Sequence, residues 1–102
     1  MAWLNYHHLY YFWITAIEGS INGASKKLGI GQPTISTQIK NLEGSLNQNL
    51  FQRKGQRLIL TEAGKAVLEY ANKIFTLGNE LMEVVKDGTF SKRTHIQFGA
   101  LD

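Results

Sequence analysis

Apolar residues recur at helical spacing from near the start of the chain. Leu9, Phe12, Trp13, Ala16 and Ile17 share one helix face, and Asn5 is placed to cap that helix. Gly19 ends it, and Ser20 can cap a short second helix from Ile21 to Leu28 in which Ala24 and Leu28 face the same way. Gly29 closes the second helix. A third begins at Gln32, with Pro33 in the first turn, where its missing N–H breaks no helical hydrogen bond. Ile35, Ile39, Leu42 and Leu46 mark its buried side.

The periodicity then changes. Leu50–Arg53 and Arg57–Leu60 flank Lys54-Gly55-Gln56 and predict a hairpin with a basic, protruding turn. Thr61 caps a last helix, and Glu62 sits well at its positive end. Apolar positions continue without Pro to Val85, so a helix over Thr61–Lys86 runs for about 39 Å at about 1.5 Å per residue. Asp87-Gly88-Thr89 ends it, and the alternation His95-Ile96-Gln97-Phe98 predicts the start of a strand. The fold class is mainly α: a winged helix-turn-helix of three helices plus a β-hairpin wing over residues 1–60, a long linker helix over 61–88, and a hinge over 89–102.

The helix-turn-helix reading rests on residues 20–43. Two helices crossing through a tight turn need small residues at the crossing, a permissive residue at the turn, and apolar contacts from both sides. Ala24 and Ser25 supply the first and Gly29 the second. Leu28, Ile30, Ile35 and Ile39 supply the third. The polar face of the third helix is then Gln32, Thr34, Ser36, Thr37, Gln38 and Lys40. Amides can read adenine edges bidentately, and hydroxyls and Lys can hold phosphates or base edges. The helix start adds free N–H groups.

Charge sharpens this picture. The net charge is +3 and unevenly spread: residues 1–60 carry Lys26, Lys27, Lys40, Arg53, Lys54 and Arg57 against only Glu18 and Glu43. The cationic turn around Arg53 and Lys54 suits a wing that reaches a nucleic-acid backbone or minor groove. Double-stranded DNA is the partner these features predict. A protein-interaction module that keeps the fold without reading DNA is the alternative.

The other chemistries find no support. There is no Cys, so no disulfide framework or thiolate metal site is expected. His7, His8 and His95 lie at no recognised metal spacing. Gly29-Ile30-Gly31 lacks the third Gly and the preceding strand of a dinucleotide loop. No enzyme activity, metal or cofactor is expected. The longest strongly apolar run, Leu9–Ile17, is too short for a membrane span, and the N-terminus does not read as a signal peptide. A cytoplasmic location is the expectation.

On the long helix, Val67, Ala71, Ile74, Gly78, Leu81 and Val85 form one stripe, and Tyr70, Ile74, Leu77, Leu81 and Val84 form a second. Two overlapping seams are wider than one neighbour can cover. One is expected on the first helix, through Leu9, Phe12 and Trp13, and the other against a second copy of the chain. The resulting homodimer is expected to present two reading helices about 34 Å apart.

An ordered set of residues over about positions 4–86 resembles the N-terminal DNA-binding domain of LysR-type transcriptional regulators. Its carriers are Leu9, Phe12, Gly19-Ser20, Ala24, Leu28, Gln32-Pro33, Ser36, Gln38-Ile39, Leu42-Glu43, Leu46, Leu50-Phe51, Arg53 and Leu60-Thr61-Glu62-Ala63-Gly64. The stretches 5–13, 50–55 and 70–77 are similar, more narrowly, to the NhaR subgroup of that family, activators of sodium/proton antiporter genes. The resemblance implies DNA contacts at Gln32, Pro33, Thr34, Ser36, Thr37, Gln38 and Arg53, and a dimerising linker helix. It also implies a C-terminal effector-binding domain beyond Asp102, on which a small molecule or ion would act, with 94–100 as its first strand. Members commonly carry Ser or Thr before the Gln-Pro pair. This chain has Gly31 there, which removes a hydroxyl that could bond a phosphate, and the unusual Asn22-Gly23 is expected to weaken the second helix.

Overall fold

The capping residues read from the sequence set the helix boundaries of the computed structural model, which describes residues 3–55 and 57–88. The elements run α1 (Tyr6–Glu18), α2 (Ile21–Leu28), α3 (Gln32–Leu46), β1 (Phe51–Lys54), β2 (Arg57–Leu60) and α4 (Glu62–Asp87). Asn5 Oδ1 accepts from the His8 N–H at 3.0 Å, Ser20 Oγ from the Gly23 N–H at 2.9 Å, and Thr61 Oγ1 from the Gly64 N–H at 3.0 Å. Each satisfies a donor that a helix start leaves unpaired. Gly29 ends α2 in the left-handed conformation, and its N–H bonds back to the Ser25 carbonyl at 2.9 Å. No side chain caps α3, because Gly31 has none to offer. The segments 89–102 and the strand expected at 95–98 lie outside the described residues.

The chain divides into two compact units, Met1–Asn72 and Lys73–Asp102. In the first, α1 packs on α2 and α3, and α2 packs on α3. Leu9, Phe12, Ile14, Thr15, Ala24, Ile35, Ile39, Leu42 and Leu50 are buried. Ala24 is fully buried, consistent with the small residue that the helix crossing requires. Two positions differ from the sequence expectation. Ile17 and Leu46 lie in the last turns of their helices and are exposed. Ile14 and Thr15 are buried instead, because α1 has neighbours on two sides and its buried arc is wider than one stripe. The Thr15 hydroxyl is satisfied internally, donating to the Tyr11 carbonyl at 2.8 Å.

The hairpin is antiparallel, pairing Phe51 with Leu60, Gln52 with Ile59, Arg53 with Leu58 and Lys54 with Arg57. It begins at Phe51, one residue later than the sequence run, and Leu50 is buried at its base. Glu43 Oε2 of α3 accepts from the N–H groups of Leu50 at 2.7 Å and Phe51 at 3.3 Å. On the other side, the Thr61 N–H donates to the Leu50 carbonyl at 3.0 Å, and its hydroxyl donates to the Asn49 carbonyl. The Phe51 ring lies 5.2 Å from that of Phe12. The wing is thus braced by α3, α1 and the start of α4. An isolated two-stranded hairpin is marginal in water, so these contacts give it a fixed position.

Within the first unit, the contact between α1 and α4 includes a polar one, absent from the expected apolar seam: the Trp13 indole N–H donates to Asn72 Oδ1 at 2.7 Å. Ala71 is fully buried within the chain, so it offers no surface to a partner; the expected stripe is interrupted there. In the second unit, Leu77, Leu81, Met82 and Val85 are exposed. Leu81, Met82 and Val85 line a shallow groove with Asn79, Glu83 and Lys86. No helix among the described residues is long and apolar enough to cross a membrane.

Candidate nucleic-acid interface

Of the residues expected to act together, Gln32, Ser36 and Lys40 of α3 and Arg53 of the wing line two adjoining clefts, and Pro33, Thr34, Thr37, Gln38 and Lys54 line neither. One cleft is lined by Ser36, Ile39, Lys40 and Glu43 of α3, by Phe51, Gln52, Arg53 and Leu58 of the hairpin, and by Ile21. A second is lined by Gly19, Ser20, Ile21 and Asn22 around the start of α2, by Gln32 at the start of α3, and by Arg53, Arg57 and Leu58. Arg53 and Leu58 border both, so the wing and the first half of α3 share a wall.

Gln32, Pro33, Thr34, Thr37 and Lys40 are exposed, as are Arg53 and Lys54. Ser36 and Gln38 are half-buried. Ser36 lines its cleft together with Phe51, Arg53 and Leu58 of the hairpin. Among the described residues, ion pairs join Lys27 to Glu18 and Lys65 to Glu62, and none involves Lys40, Arg53, Lys54 or Arg57. Among the described residues, these cations are therefore not neutralised by an ion pair within the chain.

Three participants were not among the expected contact residues. Arg57 pairs with Lys54 at the hairpin tip and lines the second cleft. Its place in the cationic turn was the available signal. Glu43 figured only in the charge balance and as a motif letter, and its bonds fix the base of the wing. Asn22 accepts a hydrogen bond from Gln32 Nε2 at 3.1 Å. No periodicity signals a contact across ten residues. The expected weakness of α2 at Asn22-Gly23 does not shorten it. A Cβ at position 23 would meet Ser20 Oγ at 3.0 Å and Glu18 Cβ at 3.1 Å, so the tight α1–α2 corner is relieved by Gly.

The arrangement offers hydroxyls, amides and free cations around a helix start. Among the described residues, no group of three or more His, Asp or Glu could hold a metal.

Comparison with known proteins agrees with this geometry. Residues 6–65 match the family described as "Bacterial regulatory helix-turn-helix protein, lysR family". The chain is 42% identical over 98 residues to the transcriptional activator protein NhaR of Escherichia coli, covering 96% of this chain and 32% of NhaR. It is 43% identical over 72 residues to a probable RuBisCO transcriptional regulator of Trichormus variabilis, covering 71% of this chain and 21% of the relative. The chain thus spans a third or less of the curated relatives it matches. Among solved structures, the BenM DNA-binding domain in complex with catB site 1 DNA superposes with a TM-score of 0.76 at 33% identity, covering 79% of this chain and 91% of that one. The CbnR DNA-binding domain–DNA complex gives 0.74 at 32% identity, covering 83% and 98%. These relatives are regulators of transcription, in keeping with a sequence that carries no catalytic constellation. The match over most of the first unit, together with the three helices and braced wing, places the chain in the LysR family of bacterial regulatory helix-turn-helix proteins.

Proposed function

We propose that the chain binds double-stranded DNA sequence-specifically as the DNA-binding domain of a LysR-type transcriptional regulator. The start of α3 enters the major groove. There Gln32, Pro33, Thr34, Ser36, Thr37 and Gln38 face bases and nearby phosphates, and Lys40, Arg53 and Lys54 hold the backbone. The observation that carries this reading is the shared wall at Arg53, which sets unpaired cations of the wing beside the polar start of α3. Solved DNA complexes of BenM and CbnR domains with the same fold support it. The test is repeated selection from random duplexes, followed by binding of the winner and a scrambled duplex at two salt concentrations. A preferred, two-fold symmetric site is the expected result. Salt-sensitive binding without preference would reject sequence readout.

The two kinds of contact separate by mutation. Gln32→Ala is expected to lose about 1–3 kcal/mol of discrimination at the base it reads. Arg53→Ala is expected to weaken all duplexes alike and reduce the salt slope by about 1. Equal loss on preferred and scrambled DNA for Gln32→Ala would count against direct readout.

We further propose a homodimer through the exposed part of the α4 stripe, with Leu81 and Val85 at its centre beside Leu77 and Met82. Val67, Ile74 and Gly78, half-buried in the chain, contribute what surface they retain. Leaving four large apolar side chains in water on one helix is unfavourable, and a second copy offers the same face in return. Sedimentation is expected to show a dimer at micromolar concentration, and Leu81→Glu is expected to shift it toward monomer. A wild-type monomer at high concentration would reject the dimer. Any small-molecule or ion effector is assigned to the region that the longer relatives have outside the aligned segment.

A further inference from the structure

Gln32, the first residue of α3, donates from Nε2 to Oδ1 of Asn22 in the first turn of α2 at 3.1 Å. The bond spans the turn between the two helices instead of running along either. Both side chains are exposed, and both line the cleft that Arg53 and Arg57 border. An exposed amide–amide bond replaces equivalent bonds to water and adds little to the stability of the fold. Its effect is on orientation.

A glutamine amide carries one acceptor and two donor hydrogens. It matches a base edge only when oxygen and nitrogen are offered in the right plane and sense. Three side-chain torsions separate that amide from the backbone, so an untethered Gln32 samples many orientations. With one N–H held by Asn22, the oxygen and the second N–H remain as an adjacent acceptor–donor pair. That pair complements the N6 donor and N7 acceptor of adenine.

We propose that Asn22 is a positioning residue for base readout: it holds the Gln32 amide in the orientation that reads DNA, without itself touching a base. This rests on the DNA-reading function proposed above. Asn22→Ala is a suitable probe because the site is exposed and Ala is helix-favouring. Matched circular-dichroism melts of the variants check the fold.

The experiment uses the whole chain, the selected duplex, its single-base variants and a scrambled duplex. Asn22→Ala is expected to reduce preference by about 3- to 10-fold, the range of one net hydrogen bond. The loss falls at the base pair where Gln32→Ala also acts, with scrambled-duplex binding unchanged. The double variant is expected to match Gln32→Ala alone. Asn22→Asp keeps the acceptor, so it retains the preference while weakening every duplex through its charge. Three results overturn the proposal: an intact preference in Asn22→Ala, an undiminished further loss in the Gln32→Ala background, or equal losses on preferred and scrambled DNA. A wild-type chain with no preferred sequence fails earlier, before any variant is compared, and overturns the DNA-reading function together with this proposal.

Discussion

Gly64→Ala is expected to destabilise the protein by about 3 kcal/mol or more, although alanine is ordinarily the better helix former. Gly64 lies in the first turn of α4, buried beneath the base of the wing. A Cβ there would run into the Leu50 carbonyl oxygen, with the Leu50 carbonyl carbon at 3.0 Å and Leu60 Cδ2 at 2.9 Å. The backbone of Leu50 cannot retreat cheaply. Its N–H is bonded to Glu43, its carbonyl accepts from the Thr61 N–H, and its side chain is fully buried. Relief requires moving α4 from the hairpin or breaking those bonds. Gly44, in α3, provides the control, because a Cβ there meets nothing within 4 Å. Gly44→Ala is therefore expected to stabilise by up to about 1 kcal/mol through helix propensity. Urea titration of the two variants measures both signs. A Gly64→Ala protein as stable as wild type would show that the α4–hairpin junction yields to a methyl group at little cost.

The second large effect belongs to Phe12. Its side chain is fully buried and its ring tilts against that of Phe51. Truncation to Ala removes a large apolar surface and leaves a cavity, costing about 3–5 kcal/mol. For a domain of this size each kcal/mol lowers Tm by about 4–8 °C, so the melting temperature is expected to fall by at least about 12 °C. The loss is not confined to the helices. Phe12 is the contact by which α1 steadies β1, so hydrogen exchange in the hairpin is expected to quicken more than in α3. Calorimetry and amide exchange give the two readouts. A drop under about 4 °C, the least that 1 kcal/mol produces, would mean that neighbours collapse into the space.

Much of this architecture is legible in the sequence, for identifiable reasons. Helix starts are signalled locally, and Asn5, Ser20 and Thr61 each make the cap that their residue type predicts. The helix-turn-helix is readable because its small, permissive and apolar positions are fixed by the crossing. What a linear pattern misses is contact between elements. A single stripe cannot show that α1 has two neighbours, so Ile14 and Thr15 escape it and Ile17 is misplaced. Gly64 is legible as a letter of the family pattern, and its reason appears only when Leu50 is set against it. In the candidate interface, exposure of Gln32, Thr34, Thr37 and Arg53 follows from helix phase and turn position. The half-burial of Ser36 and Gln38 depends on the tertiary surroundings of α3, which helix phase does not encode. The Asn22–Gln32 bond joins two polar residues that neither burial nor periodicity constrains.

The indole of Trp13, tied to Asn72, also gives the molecule a built-in optical reporter. The chain has two Trp residues. Trp3 is 86% exposed, so its emission is that of an indole in water whether the chain is folded or not. Trp13 is partly enclosed, with its N–H held by α4 and the Tyr10 ring centroid 6.0 Å away. In a Trp3→Phe background, emission reports on the seam between α1 and α4 alone. Separation of that seam can then be followed by fluorescence while the helices remain intact by circular dichroism, which distinguishes release of the first part of α4, within the first unit, from unfolding of that unit.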